Sequence, residues 1–98
     1  MSFNSFLVVA KNEVQIPLKH ETTVGRAAEN TLQIPEHTVS KHHACITRLD
    51  NDHCYVTDLD SINGTFVNGA HIAAGAKVKL EHNDTLQFGR SIVKKIGR

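Results

Sequence analysis

The chain has 98 residues, a formal net charge of +1, and 40% hydrophobic and 21% charged side chains. That length suits one domain with a single core, and the apolar content excludes a disordered tail. The near-neutral balance excludes broad electrostatic capture of nucleic acid or an anionic membrane, so any anion must be held by a local site.

No segment approaches the ~20 continuous apolar residues that span a bilayer as a helix. The first apolar run, Phe6 to Ala10, is too short for a secretory leader and has no cationic residues before it. The triplets Asn63-Gly64-Thr65 and Asn83-Asp84-Thr85 fit the glycosylation pattern, but without a leader neither is read as modified. Cys45 and Cys54 are accordingly expected as reduced thiols in a cytoplasmic protein.

Strand patterning runs through the chain. Phe6 to Ala10 is rich in β-formers, and Val14-Gln15-Ile16-Pro17-Leu18-Lys19 alternates apolar and polar. The run Thr22-Thr23-Val24 ends at Gly25-Arg26, where a glycine lets the backbone turn sharply and sets the arginine at a loop mouth. A helix over 23–32 would have to pass through Gly25 and has no cap. Leu32 and Ile34, Ala44 and Ile46, and Cys54 and Val56 then keep the two-residue period, with Asn51-Asp52 turning the chain between Leu49 and His53. Asn68-Gly69 sits between Phe66-Val67 and Ala70-His71-Ile72, a strong two-residue hairpin signal. Val78 and Leu80, the turn His82-Asn83-Asp84, and Leu86 and Phe88 complete the series. Short alternating runs separated by turns about every ten residues predict an all-β sandwich or barrel.

Several residues invite chemistry. Arg26 offers five donors and cannot lose its charge, which suits a phosphate dianion. Ser40 and His43 together suggest a nucleophile and base, but no third orienting group or nucleophile elbow accompanies them, so hydrolase chemistry is set aside. Gly64 to Gly69 begins like a P-loop, yet Ala70-His71 follows in place of Lys-Ser/Thr. His42, His43, Cys45, His53 and Cys54 include good zinc ligands, but no Cys-x2-Cys spacing is present, and strand alternation sends Cys45 and Cys54 to opposite faces. Cys54 reads as a small core residue, and no metal or cofactor is expected.

Five segments stand in order across roughly residues 20–90. They are Gly25-Arg26 with Asn30 to Ile34, then Ser40-Lys41-His42-His43, then Asp58-Leu59-Asp60-Ser61-Ile62-Asn63-Gly64-Thr65, then Asn68-Gly69, and Asp84 to Gly89. In these the chain resembles the forkhead-associated (FHA) domain, a phosphothreonine-recognition module. The resemblance implies a single domain over 1–98 folded as a two-sheet antiparallel β-sandwich of about eleven strands, with binding loops at one end. It implies a non-catalytic module that binds phosphothreonine-containing partner proteins in signalling, most simply as a monomer.

By resemblance, Arg26 and Ser40 would bind phosphate oxygens, Lys41 would add a phosphate or peptide contact, and Asn63 would hydrogen-bond the peptide backbone. Gly25, His43, Gly64, Asn68 and Gly69 would be architectural, with His43 pinning the loop that carries Ser40. Ile62 stands where a small hydroxyl residue often adds a phosphate bond, and Thr38 where a basic residue is frequent, so both contacts are expected to be missing. Ile62 would instead line a niche for the threonine methyl. Two other readings remain: a phosphate-independent scaffold or dimerisation domain, and the sensor module of a larger signalling enzyme.

Overall fold

The computed structural model describes residues 5–49 and 52–97. Eleven strands follow one another: β1 Phe6–Val9, β2 Gln15–Pro17, β3 Glu21–Gly25, β4 Leu32–Gln33, β5 Ala44–Arg48, β6 Cys54–Asp58, β7 Thr65–Val67, β8 Ala70–His71, β9 Lys77–Leu80, β10 Thr85–Phe88 and β11 Ser91–Ile96. They form a six-stranded sheet in the order β2-β1-β11-β10-β7-β8 and a five-stranded sheet in the order β4-β3-β5-β6-β9. All pairings between these strands are antiparallel except β3 with β4, where Val24 pairs with Leu32 and Gly25 with Gln33. The two-sheet, eleven-stranded sandwich expected from the sequence is the fold observed, with the β3–β4 pair its one departure from antiparallel pairing. The Asn51 half of the expected Asn51-Asp52 turn lies outside the described residues; Asp52 has φ of 67° and its N–H donates to the Leu49 carbonyl.

The two-residue period decides which side chains meet between the sheets. Leu7, Leu86, Phe88 and Val93 from one sheet face Val24, Leu32, Ala44, Ile46, Cys54, Val56 and Leu80 from the other, all buried. Cys54 lies in this core while Cys45, on the neighbouring strand β5, is half-buried with its Sγ 3.6 Å from Glu21, so the two thiols do occupy opposite faces. Val14 lies outside β2 and is 45% exposed. Two cations are buried at the strand ends remote from residues 40–43. There Arg48 pairs with Asp52 at 3.1 Å, and the Lys95 ammonium donates to the Gly97 carbonyl at 2.7 Å.

The β7–β8 hairpin turns on Asn68 (φ 51°) and Gly69 (φ 85°), the two positive values a type I′ turn demands. Asn68 also anchors the hairpin to the start of β10: its Oδ1 accepts from the Thr85 N–H at 2.9 Å and its Nδ2 donates to Asp84 at 2.9 Å.

Candidate functional site

Three connections gather at one end of the sandwich: β3–β4, β4–β5 and β6–β7. Their meeting begins at Gly25. A Cβ there would collide with the Lys41 carbonyl oxygen and the Asn30 amide, so only glycine lets the two loops pass this closely. The contact is sealed by backbone bonds, Arg26 N–H to the Ser40 carbonyl at 2.9 Å and Ala27 N–H to the Lys41 carbonyl at 3.2 Å. Buried Asn30 adds its amide, donating to the carbonyls of Ala27 and Lys41 at 2.8 and 2.7 Å.

His43 joins the second loop to the third. The ring is fully buried and stands edge-on to Phe88, with centroids 5.6 Å apart. Its Nδ1 accepts from the Ser40 N–H at 3.0 Å, so the ring proton sits on Nε2, which donates to the Gly64 carbonyl at 2.9 Å. Gly64 itself turns at φ 88°, directly after Asn63.

Beneath the third loop lies a compact acid-centred tie. Asp58 accepts from the hydroxyls of Ser61 and Thr65, both at 2.6 Å, and from the Ser61 N–H at 3.1 Å. The Ser61 hydroxyl in turn accepts from the Gly64 N–H at 3.0 Å. Burial pushes the Asp58 carboxyl up, but these hydrogen bonds outweigh it and hold the group below its ordinary value. The sequence motif spans this segment but by itself assigns no role to Asp58, Ser61 or Thr65. The Asp-x-x-Ser spacing, an aspartate side chain closing a turn on a nearby N–H, was the available signal.

On this tied base stand the groups that remain open. Arg26 is exposed; its Nε donates to the Val39 carbonyl at 3.0 Å, and among the described residues nothing accepts from its two terminal nitrogens. Ser40 Oγ accepts from the Ile62 N–H at 3.0 Å, which leaves its own proton to be donated outward. Lys41 is exposed and has no ion pair among the described residues. Asn63 is exposed; its Nδ2 donates to the Thr38 carbonyl at 2.7 Å, so its Oδ1 is held outward as an acceptor. Ile62 gives its N–H to Ser40 while its side chain is 89% exposed.

Thus Arg26, Ser40, Lys41, Ile62 and Asn63 come together on one rim, and Gly25, His43 and Gly64 lie just below it. Asn68 and Gly69 do not join the rim; they hold the β7–β8 hairpin. Thr38, read from sequence as a position lacking a basic contact, is a junction. Its carbonyl holds Asn63, its hydroxyl donates to Glu36 and accepts from the Arg90 N–H at 2.9 Å, and its N–H donates to Glu36 at 3.0 Å. The hydroxyl and backbone bonds from Thr38 hold the Glu36 carboxyl below its ordinary value. Chemically, the rim presents a fixed cation, a hydroxyl donor and an amide acceptor side by side. That set suits an oxyanion attached to a polypeptide backbone.

Comparison with known proteins agrees with this arrangement. The FHA domain family matches residues 22–89. The probable serine/threonine-protein kinase fhkA of Dictyostelium discoideum is 34% identical over 85 residues, which cover 80% of this chain but only 14% of the kinase. A structure solved in work on phosphothreonine-dependent FHA domain interactions superposes with a TM-score of 0.87 at 25% identity, covering 96% of both chains. EmbR of Mycobacterium tuberculosis, solved with a low-affinity phosphopeptide, gives a TM-score of 0.85 at 25% identity over 94% of this chain and 24% of that one. The chain belongs to the FHA domain family, a family of non-catalytic interaction modules.

Proposed function

We propose that the chain recognises phosphothreonine-containing segments of partner proteins, with Arg26 and Ser40 holding the phosphate. The observation that carries this reading is the state of those two side chains. Each already has one internal hydrogen bond that fixes its direction, and each keeps its remaining donors open on the rim. The Arg26 terminal nitrogens supply a charged fork, and the Ser40 hydroxyl supplies a neutral donor beside it. Lys41 adds a mobile positive charge at the edge. The Asn63 Oδ1 accepts from an N–H of the bound peptide, because its Nδ2 is already engaged. EmbR, of the same fold and solved with a phosphopeptide, supports phosphopeptide recognition as the function.

Ile62 covers the phosphothreonine from the solvent side. Its methyls meet the threonine γ-methyl, which phosphoserine lacks. One chain supplies every rim residue, so a monomer suffices for binding. The two thiols, both unpaired, suit a cytoplasmic setting.

Because the loops are tied before ligand arrives, little ordering entropy is lost on the protein side. One fork and a few hydrogen bonds on a shallow rim give a dissociation constant of order micromolar, about −8 kcal/mol. Calorimetry with a phosphothreonine peptide and its unphosphorylated twin tests the reading. Binding of the first alone is expected; equal affinity for both would leave the scaffold reading in its place.

A further inference from the structure

Asn63 stands exposed on its loop, yet both of its anchors lead to one place, the β10–β11 turn at Gly89 and Arg90. The side-chain anchor is Thr38, whose carbonyl accepts from the Asn63 Nδ2 at 2.7 Å. The backbone anchor is Gly64, the next residue along the chain. Two consecutive N–H groups of the turn reach these anchors. Gly89 donates to the Gly64 carbonyl at 3.2 Å, and Arg90 donates to the Thr38 hydroxyl at 2.9 Å. Gly89 is buried with φ of 59°, and a Cβ there would collide with the Thr38 carbonyl and hydroxyl oxygens. The turn is therefore pressed against the carbonyl that holds Asn63.

The Thr38 hydroxyl is engaged in both directions. It donates to Glu36 and accepts from Arg90, and the Thr38 N–H also donates to Glu36 at 3.0 Å. A hydroxyl has a single proton to give, so these bonds fix the side-chain rotamer. With side chain, N–H and carbonyl all committed, residue 38 has no freedom to turn its carbonyl away from Asn63.

We propose that Thr38 is a positioning residue for Asn63: its hydroxyl, bonded to the β10–β11 turn, holds the carbonyl that aims the asparagine amide at the bound peptide. The proposal rests on the phosphothreonine reading above. Thr38 acts through Asn63 rather than by touching the peptide. An exposed amide without an anchor rotates and presents its oxygen and its nitrogen in turn. The tie to Thr38 keeps Oδ1 outward, the end that accepts a peptide N–H, so this orientation is set before the ligand arrives. Removing the hydroxyl loosens the loop at 36–38 and leaves the sandwich intact, because the freed Arg90 N–H lies at the surface where water replaces the bond.

The test compares Thr38→Val, which keeps the shape and removes the hydroxyl, with Thr38→Ser, which keeps the hydroxyl. In the free protein, nuclear magnetic resonance follows the Asn63 side-chain amide. Its signals should stay in place in Thr38→Ser and move toward those of a freely rotating amide in Thr38→Val. Calorimetry with a phosphothreonine peptide should show about fivefold weaker binding for Thr38→Val and near wild-type affinity for Thr38→Ser. A double-mutant cycle then separates positioning from plain structural support. In an Asn63→Ala background, Thr38→Val should weaken binding no further. The same loss in both backgrounds, or unchanged Asn63 amide signals in Thr38→Val, would overturn the positioning role alone. Failure of the wild type to bind the phosphopeptide would overturn the phosphothreonine reading, and with it the role given to Asn63.

Discussion

The rim and the layer below it are built from the same three loops, yet they differ in how their polar groups are used. Below, Asn30, His43, Asp58, Ser61 and Thr65 direct their side chains into the protein, bonding to backbone or to one another. Above, Arg26, Ser40 and Asn63 each make one fixing bond and leave the rest open. The difference shows how a loop site becomes rigid without a core. Loop ends lack a sheet ladder, so side chains in the lower layer satisfy backbone groups that would otherwise need water. The upper layer then inherits fixed positions and keeps its donors for a ligand.

If this division holds, changes in the upper layer cost binding and changes in the lower layer cost stability first. The largest effect is expected from Arg26→Ala. Removing one partner of a desolvated charge pair costs about 2–5 kcal/mol, roughly thirtyfold to several-thousandfold in affinity. The melting temperature should hardly move, since the side chain contributes one bond at the surface. A large loss of stability in this variant would mean that the arginine belongs to the lower layer.

His43→Ala sharpens the comparison from the other side. It removes the bonds to Ser40 and Gly64 and leaves a gap beside Phe88. The combined cost is about 2–4 kcal/mol. For a domain of this size that lowers the melting temperature by on the order of 10 °C. Affinity should fall as a consequence, with much of it recovered when the variant is assayed well below its melting point. Unchanged melting with lost binding would contradict the architectural role.

These particulars also show what the sequence made legible. Alternation placed Ala44, Ile46, Val56, Leu86 and Phe88 in the core, because a two-residue period is a local property of the chain. Asn68-Gly69 announced its own turn. The rim residues stood out through the family resemblance, which joined Arg26, Ser40 and Asn63 from motifs far apart in the chain; Arg26 alone offered suitable chemistry by itself, a permanent charge with five donors. The ties were less legible, since they join residues far apart in the chain: Arg90 to Thr38 spans 52 positions and Asn63 to Thr38 spans 25. Thr38 looked like a lost contact when read alone and proved to be a junction. The order of the larger sheet, with β11 between β1 and β10, is likewise a non-local outcome.

Acid tests the lower layer without mutation. Asp58 and Glu36 are held below their ordinary values of 3.8 and 4.5. As pH falls, the unfolded chain takes up protons before the folded one, so folding loses stability. The contribution is complete above about pH 5 and is lost as pH drops through the ordinary values to the lower folded-state ones. Urea unfolding across that range should show the decline, and Asp58→Asn should flatten it. Half-buried Glu36, outside this layer, adds a minor part. The same slope in wild type and variant would show that Asp58 is not the group responsible.

The smallest expected effect concerns Ile62. Ile62→Thr restores a hydroxyl at the rim and should raise affinity for phosphothreonine and phosphoserine peptides by about 0.5–1.5 kcal/mol, the net worth of one hydrogen bond. The same change should narrow the preference for threonine, since a methyl in an apolar niche is worth about 1–3 kcal/mol. Unchanged affinity would show that Ile62 stands clear of the ligand.

The account's central claim is that the open nitrogens of Arg26 meet a phosphate, and a double-mutant cycle measures that contact directly. Phosphorylated and unphosphorylated threonine peptides are titrated into wild type and Arg26→Ala, and the coupling between the two removals is taken from the four affinities. The account predicts a coupling of about 2 kcal/mol or more, with Arg26→Ala losing most of its preference for the phosphorylated peptide. Additive losses, with phosphate preference intact in Arg26→Ala, would contradict it.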